Sequence, residues 1–343
     1  MTNEMVTGQV ETAHSLLVPD LLGYTWRPPR REDLPALHQM MLAADKADDK
    51  DWADSLEDMQ TRFDDPWSNP ATDARLAVIP DGQVAAMARI FINPQPEDEC
   101  RAFMWSEVHP AHRGRGLEEY ALNWMEARSR QRLQTLPAEL PRLLRTSCLD
   151  SQPDNIARLE QLGFRPGRYF YRMRRDLHQP IPDKPLPEGL TLRTFSLELS
   201  RAMLDALNEA FRDHWSFELV TAADWEMFFL KRSSFRPELT FVVMDGEQVA
   251  GLSYNTVSPE DNARRGINEG VIAELAVRRP WRKRGVATAL LCQSMRAFKA
   301  EGLDYAMLGV DTENLSGALR LYESIGFRPH QRIISFDKPV TRT

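Results

Sequence analysis

The chain repeats itself once over domain-sized segments, and this repeat limits the fold more than any other feature of its 343 residues. A short apolar run, an Asp-Gly pair and a second apolar run occur at 76–87 and again at 241–252. Each copy is typical of a β-hairpin with the Asp-Gly pair in the turn. Two further pairs of segments are similar: 24–28 with 190–194, and 162–166 with 325–329. Such a long repeat unit predicts two related domains rather than a solenoid.

A proline-rich segment separates the two copies, with four prolines in the eight residues 180–187. Prolines at this density cannot continue a helix or a central strand, and they favour an extended spacer. The alternation of strand and helix patterns in each half predicts an α/β (α+β) fold, with a mixed central sheet flanked by helices. We therefore expect four segments: an N-terminal arm at 1–22, a first domain at 23–177, a linker at 178–188 and a second domain at 189–338.

The charge balance and the cysteines restrict the class of protein. With 43 basic and 50 acidic residues the formal net charge is −7, which disfavours general nucleic-acid or anionic-membrane binding. No apolar run is long enough to span a bilayer, and the N-terminus does not resemble a signal peptide. The three cysteines have no disulfide or metal-site spacing, so we expect reduced thiols, no bound metal and a cytoplasmic protein.

A strand, a basic turn with a glycine and a helix follow one another in the second half. The run 270–277 is typical of a buried strand, and the apolar residues of 287–298 recur at helical spacing. A helix N-terminus leaves backbone N–H groups unpaired, and Gly285 would let a ligand approach them closely. The pattern predicts a phosphate or pyrophosphate site. Two alternatives stay open: a solvated basic turn, and a nucleic-acid patch in which Trp281 stacks on bases.

A second motif follows that helix. The run 305–310 is typical of a strand, 311–314 of a loop, and Ser316 can cap a short helix that carries Tyr322 and ends at Gly326. Taken alone, a tyrosine at this position is more typical of core packing than of chemistry. In this order and spacing, the two motifs resemble those of the GCN5-related N-acetyltransferase (GNAT) superfamily. The resemblance is strong over 189–338 and weak over 23–177, a layout similar to members with two GNAT domains in tandem.

The resemblance implies acetyl-CoA as the acyl donor, a small-molecule amine as the acceptor and a splayed pair of strands at the cofactor site. It assigns the pyrophosphate to six consecutive residues: Arg282, Lys283, Arg284, Gly285, Val286 and Ala287. The main chain of Leu275, Ala276 and Val277 would pair with the pantetheine arm, and a backbone N–H there would stabilise the oxyanion. Asn314 would contact the cofactor near the thioester. Tyr322 would be the general acid, since a tyrosine is protonated at neutral pH.

The general base is less well defined. The position at which many family members carry a glutamate holds Val271 here. Glu269 would share the face of Val271 if the strand extends that far, whereas Glu274 would lie on the opposite face unless a bulge shifts it. Either glutamate could instead have a surface role, and a water relay or an amine that arrives unprotonated would also serve.

The first half reads as a degenerate copy. Matching the two glycines of 111–116 to the pyrophosphate loop puts Ala111 at the position of the leading arginine. Separately, aligning Gly163-Phe164 with Gly326-Phe327 puts Leu159 where Tyr322 stands and Ser151 where Asn314 stands. Leucine cannot donate a proton, so we expect this half not to be catalytic and instead to shape the acceptor cleft or support the second domain. Whether it holds CoA stays open.

Two residues early in the second half, His214 and Trp215, are candidates to contact the acceptor, the alternative being a helix end stabilised by aromatic packing. The corresponding charge-rich segment of the first half, 43–52, is expected to be a solvated helix face. The resemblance implies an N-acetyltransferase whose acceptor is a small amine, such as an aminosugar or a thiol-bearing pseudodisaccharide. A non-catalytic acyl-CoA-binding or regulatory protein is the alternative. The sequence leaves open whether the chain forms a homodimer.

Overall fold

In the computed structural model, residues 23–63, 65, 67–314 and 317–341 are described. The expected N-terminal arm 1–22 and the expected helix cap Ser316 lie outside them. The chain divides into two compact units. The first unit comprises Met1–Lys50, Phe63–Thr146 and Asp337–Thr343, and the second comprises Asp51–Arg62 and Ser147–Phe336.

The first unit is a mixed sheet with helices. Its strands follow one another in the order β1-β2-β3-β4-β5. All neighbouring pairs are antiparallel except β4 and β5, which are parallel. The strands are β1 (Thr25–Arg27), β2 (Ala74–Val78), β3 (Val84–Ile92), β4 (Cys100–Val108) and β5 (Arg142–Leu149), the last of which runs on into the second unit. The helices are α1 (Leu34–Ala47), α3 (Pro70–Asp73) and α4 (Leu117–Leu133).

The second unit has a sheet of strand order β12-β6-β11-β10-β9-β8-β7. Its strands are β6 (Arg165–Asp176), β7 (Thr191–Thr194), β8 (Phe241–Asp245), β9 (Gln248–Thr256), β10 (Glu269–Val277), β11 (Tyr305–Asp311) and β12 (Arg328–Pro339), whose end belongs to the first unit. Its helices are α2 (Leu56–Arg62), α5 (Pro153–Gln161), α6 (Ser200–Phe211), α7 (Ala222–Trp225), α8 (Pro259–Arg265), α9 (Val286–Ala300) and α10 (Ala318–Ser324). A π-helical turn, Glu226–Leu230, follows α7.

These mixed sheets with flanking helices agree with the predicted α/β class. The compact units, however, do not follow the sequence repeat. Strand β6 comes from the first repeat but pairs antiparallel with β11 of the second, from Tyr305↔Asp176 to Asp311↔Phe170. The segment 51–62 likewise belongs to the second unit. The sheet of the second unit is therefore not built from the second repeat alone.

A pair of parallel strands opens in each unit. Strands β10 and β11 pair from Glu269↔Tyr305 to Ile272↔Leu308, although β10 continues to Val277 and β11 to Asp311. Similarly, β4 and β5 pair only from Cys100↔Arg142 to Phe103↔Arg145. The unpaired strand ends leave backbone groups that a ligand could pair with. The splayed pair that the resemblance implied is thus present.

A register shift in β10 determines which glutamate faces which side. Opposite β9, the pairing passes from Ile272↔Asn255 directly to Glu274↔Tyr254, so one residue is bulged out. Ile272 packs with α9 and α10, whereas Tyr254 packs with α6. The bulge therefore moves Glu274 to the α6 side, the face that Glu269 and Val271 share.

Candidate active site

The N-terminus of α9 is open to a ligand. Gly285 precedes the helix in the left-handed conformation, with φ of 90°, and nothing lies within 4 Å of where its Cβ would be. The backbone N–H groups of the first turn have no intrahelical acceptor. Lys283, also left-handed with φ of 60°, and Arg284 are exposed, and neither makes an ion pair within the part of the chain that the structure describes. These groups together suit a diphosphate.

Arg282 and Trp281 build this loop. The Arg282 guanidinium donates to the Val277 carbonyl at 3.1 Å and to the Ala210 carbonyl at 2.8 Å. Trp281 is buried, and its indole N–H donates to Asp245 at 2.8 Å. An indole buried in this way is not available to stack on a nucleic-acid base. The side chain of Arg282 therefore fixes the turn, while the main chain after it stays accessible.

Glu274 is a basic carboxylate at the open end of β10. Burial raises its pKa to about 7, although the nearby Arg232 cation acts in the opposite direction. Among the described residues its carboxylate has no hydrogen-bond donor or ion-pair partner. A carboxyl group of this kind is close to half-ionised at neutral pH, which is the condition a general base needs.

Glu269 lies on the same face but in a different environment. Its side chain is 1% exposed and is bonded to Arg174 at 2.7 Å and to Arg265 at 3.1 Å. Two guanidinium groups are bonded to this carboxylate, and removing one member of such a buried set is costly. The geometry is that of a structural ion cluster, so of the two predicted glutamates Glu274 is the one left free for chemistry.

Tyr322 lies on α10, on the other side of the sheet. Its side chain is buried among the residues that pack α9 and α10 on the sheet, including Phe327 at 6.2 Å between ring centroids. Burial raises its pKa to about 12, and the negative charge of Glu274 adds to this shift. The phenol thus stays protonated at neutral pH. Asn314 lies in the loop before α10, where its backbone N–H donates to the Asp311 carbonyl at 3.2 Å.

His214 and Trp215 follow α6 and pack on aromatic and charged neighbours. The His214 ring meets Phe211 edge-on at 4.3 Å, and burial lowers its pKa. The ring centroids of Trp215 and Phe170 are 5.9 Å apart. The guanidinium carbon of Arg168 lies 5.5 Å from the centroid of the Trp215 ring. The aromatic packing named as the alternative is present for His214.

The first unit contains a loop of the same construction, which corrects the expected alignment of the two loops. Arg113, not Ala111, corresponds to Arg282, because its guanidinium donates to the Val108 carbonyl at 3.2 Å just as Arg282 donates to Val277. Matching glycine to glycine misaligned the loops by two residues.

The charge-rich segment 43–52 is not a solvated face either. Asp45 and Asp51 are buried, and Lys50 lies between Asp45, Asp48 and Glu107 as their ion-pair partner. Charged residues at the end of a helix are buried here because each has a partner of opposite sign.

Two residues on the α6 side were not singled out from the sequence. The positive charge of Arg232 lowers the pKa of Glu274, against the effect of burial. Asp58 accepts a hydrogen bond from the Ser233 backbone N–H at 2.9 Å. Neither belongs to a motif, and 58 and 233 are 175 positions apart. The clustering of acidic residues in 45–58 is the one signal that could have drawn attention to this segment.

Within the described residues, no group of three or more histidine, cysteine, aspartate or glutamate side chains could hold a metal ion. In the same part of the chain, the helices are too short or too polar to cross a membrane. Cys100, Cys148 and Cys292 are unpaired thiols.

Comparison with known proteins identifies the family. The model of the acetyltransferase (GNAT) family matches residues 37–164 and 200–327, so the chain belongs to this family and is an acetyltransferase with two GNAT domains. The mycothiol acetyltransferase of Acidothermus cellulolyticus is 30% identical over 241 residues, 67% of this chain and 69% of the relative. That of Salinispora arenicola is 28% identical over 87% of this chain and 91% of its own length.

Solved structures agree with this assignment. A GCN5-related N-acetyltransferase from Sphaerobacter thermophilus has a TM-score of 0.71 and 28% identity, covering 95% of this chain and 98% of its own. A tandem GNAT protein from the clavulanic acid biosynthesis pathway has a TM-score of 0.70, covers 93% of this chain and 99% of its own, and is 15% identical, which bears on the fold alone. The tandem arrangement predicted from the repeat is confirmed.

Proposed function

We propose that this chain transfers the acetyl group of acetyl-CoA to the primary amine of a small acceptor at the open end of β10 and β11. One observation carries the proposal: Glu274, with a pKa of about 7, lies near enough to Tyr322 for its charge to add to the burial that raises the pKa of Tyr322 to about 12. At neutral pH the first can accept a proton and the second can donate one.

The residues around α9 fit the donor. Acetyl-CoA supplies an acetyl thioester and carries a diphosphate. The first-turn amides after Gly285, with Lys283 and Arg284, offer unpaired donors and positive charge for that diphosphate. The free edge at 275–277 offers main-chain groups for the amide-containing arm, and Asn314 lies in the loop beyond β11. This supports acetyl-CoA as the donor.

Two side chains would move the protons. Glu274 accepts a proton from the acceptor ammonium, directly or through water, so that the nitrogen lone pair can form the new C–N bond. As the C–S bond breaks, Tyr322 donates its phenolic proton to the departing thiolate. A backbone N–H of Ala276 or Val277 would donate to the carbonyl oxygen as it gains charge. The attacking nitrogen loses its second proton to water as the C–S bond breaks, water returns a proton to Tyr322, and Glu274 releases its proton to solvent. The products are an amide, a free thiol and one proton.

The relatives' names support a first acceptor to test. Because similar chains are named mycothiol acetyltransferases, a thiol-bearing pseudodisaccharide amine is one candidate. Simple aminosugars are a second group. A cytoplasmic location and a homodimer stay predictions.

The test measures release of the CoA thiol from acetyl-CoA across a panel of amines. We expect Tyr322→Phe and Glu274→Gln each to lower kcat by about 10²-fold or more on an accepted amine, the usual contribution of a positioned acid or base. Two variants control for loss of a hydroxyl or a charge elsewhere. The controls are Tyr305→Phe, at the paired end of β11, and Glu247→Gln, in the exposed turn between β8 and β9. Full activity of Tyr322→Phe would overturn the general-acid role.

A further inference from the structure

The turn that carries Arg232 is wrapped around the cross-strand neighbour of Glu274. That neighbour is Tyr254, which lies directly opposite Glu274 in the β9–β10 ladder. The Tyr254 hydroxyl donates to the Phe229 carbonyl at 2.8 Å, and the Phe235 ring stacks on Tyr254 at 4.9 Å. Residues on both sides of Arg232 are therefore fixed to the strand position beside Glu274.

A second set of contacts holds the same turn from α2. The Ser233 amide donates to Asp58 at 2.9 Å, and the Ser233 hydroxyl lies 2.9 Å from that of Ser55. Asp58 is itself buried. The turn is thus held from β9 and from α2 before any ligand arrives, which limits the entropy lost when a ligand binds.

Within the described residues Arg232 makes no ion pair, although it lies near enough to Glu274 for its charge to lower the pKa of that carboxyl. Three arginines that alternate along β6 are paired: Arg168 with Asp311 at 3.0 Å, Arg172 with Asp51, and Arg174 with Glu269 at 2.7 Å. Arg232 is half-buried, its Nε atom is shielded from solvent, and this N–H has no acceptor in the described ranges. A partly desolvated guanidinium with an N–H that lacks an acceptor is destabilising, and a ligand that supplies an acceptor oxygen would relieve that cost.

We propose that Arg232 binds a carboxylate of the acceptor, so that the acceptors of this enzyme are amines that carry a carboxylate, as amino acids do. The inference rests on the proposed function, since it takes Glu274 to mark where the amine reacts. The planar guanidinium matches a carboxylate with two parallel hydrogen bonds. Glu274 and Asp58 beside it suit the ammonium end. The charges of the site are thus complementary to a zwitterion rather than to an uncharged sugar amine.

The test compares matched pairs of acceptors by calorimetry on the full chain saturated with CoA. Each pair is a free amino acid and its carboxamide, which differ only in the carboxylate. We expect at least one amino acid to bind tenfold or more tightly than its amide. In Arg232→Met this preference should fall to within about twofold, and Arg232→Lys should retain part of it. The control is Arg236→Met, since Arg236 is already paired with Glu238 and Glu301.

Three outcomes would overturn the inference. The carboxamides or uncharged aminosugars could bind as tightly as the amino acids, or no amino acid could bind. The preference for the carboxylate could also survive in Arg232→Met. Binding is measured without turnover, so these results are separate from the test of acetyl transfer. If wild-type enzyme acetylates aminosugars through Tyr322 but shows no carboxylate preference, the proposed function stands and only the role of Arg232 fails. If the acids bind through Arg232 but no amine is acetylated, the proposed function fails.

Discussion

The first turns of α4 and α9 are built alike but offer a ligand different chemistry. Each helix follows a left-handed glycine, with φ of 84° at Gly116 and 90° at Gly285. The second helical residue is Ala287 in α9 and Glu118 in α4. The Glu118 carboxylate accepts a hydrogen bond from the Gly114 amide at 3.0 Å. A carboxylate of the chain itself thus occupies the electropositive end of α4 that a phosphate would use.

Two further differences remove the reacting groups from the first repeat. Leu159 and Tyr322 occupy corresponding turns of the two repeats. In each repeat the carbonyl of this residue accepts a hydrogen bond from the backbone N–H of a phenylalanine five residues later, at 3.0 Å. Glu274 lies three residues before the end of β10, and the residue three before the end of β4 is Trp105. The pairing of β10 with β9 has a register shift, whereas the pairing of β4 with β3 has none. The comparison teaches that the backbone of such a site can persist when the anion site, the acid and the base are all replaced.

The largest effect is expected when the second repeat is made to resemble the first. Ala287→Glu puts a carboxylate at the start of α9, where it competes for the amides and repels the diphosphate. Losing two hydrogen bonds to a charged group, at about 1.5 kcal/mol or more each, corresponds to a loss of about 100-fold in affinity for CoA. Calorimetry with CoA measures it.

The matched control is Ala287→Gln, which has the same size and no charge. If it weakens CoA binding as much as Ala287→Glu, bulk rather than charge closes the site. A glutamate in the first turn favours the helix, so the melting temperature of Ala287→Glu should not fall. An unchanged CoA affinity would mean that the diphosphate lies elsewhere.

The converse change should open the first repeat. We expect the wild-type chain to bind one equivalent of CoA and Glu118→Ala to bind a second, weaker equivalent at α4. The reason is that removing the carboxylate frees the Gly114 amide and the helix N-terminus. Titration calorimetry gives the stoichiometry. Two equivalents in the wild type, or one in the variant, would contradict this account of the first repeat.

The sequence predicted the features that depend on local patterns. The hairpins, the strand before Gly285 and the helix after it follow from periodicity and turn chemistry, which act over a few residues, and the tandem arrangement follows from the repeat. The loop alignment failed for a physical reason: backbone conformation, not residue type, is what the two loops share. Lys283 adopts with φ of 60° the conformation that Gly114 adopts with φ of 70°.

The side of the sheet on which Glu274 lies depends on long-range pairing. Alternation along β10 alone puts it on the α9 side, and the bulge opposite β9 reverses that. Arg232 was missed for a similar reason, because its position depends on contacts of its turn with Tyr254 and Asp58. Local sequence carries no record of either pairing.

The pH dependence of the second repeat should follow Glu274. Since burial raises its pKa to about 7, the ionised form predominates above that pH and is lost below it. We expect kcat/KM to fall about tenfold per pH unit below about 7 and to level off above it. The measurement uses an acceptor amine of pKa above about 9, which stays an ammonium and does not itself titrate in this range.

The variant Glu274→Gln should give a lower and flat profile over the same range. Arg232→Met should move the inflection upward, because the cation that opposes the shift is removed. Glu269→Gln, which changes a paired glutamate on the same face, should leave the inflection in place. An inflection that persists in Glu274→Gln would assign the base to another group.

The smallest effect is expected when only the acid is restored to the first repeat. Leu159 is 4% exposed on α5, so Leu159→Tyr adds volume and a hydroxyl to a packed position and should lower the free energy of unfolding by about 1–3 kcal/mol. Leu159→Phe separates the volume from the hydroxyl in a denaturant melt. In a Tyr322→Phe background, Leu159→Tyr should restore no thiol release, because Trp105 and Glu118 still stand where the base and the anion site would be. Recovered turnover in that double variant would mean that one tyrosine is enough to revive the first repeat, and that its other two differences are incidental.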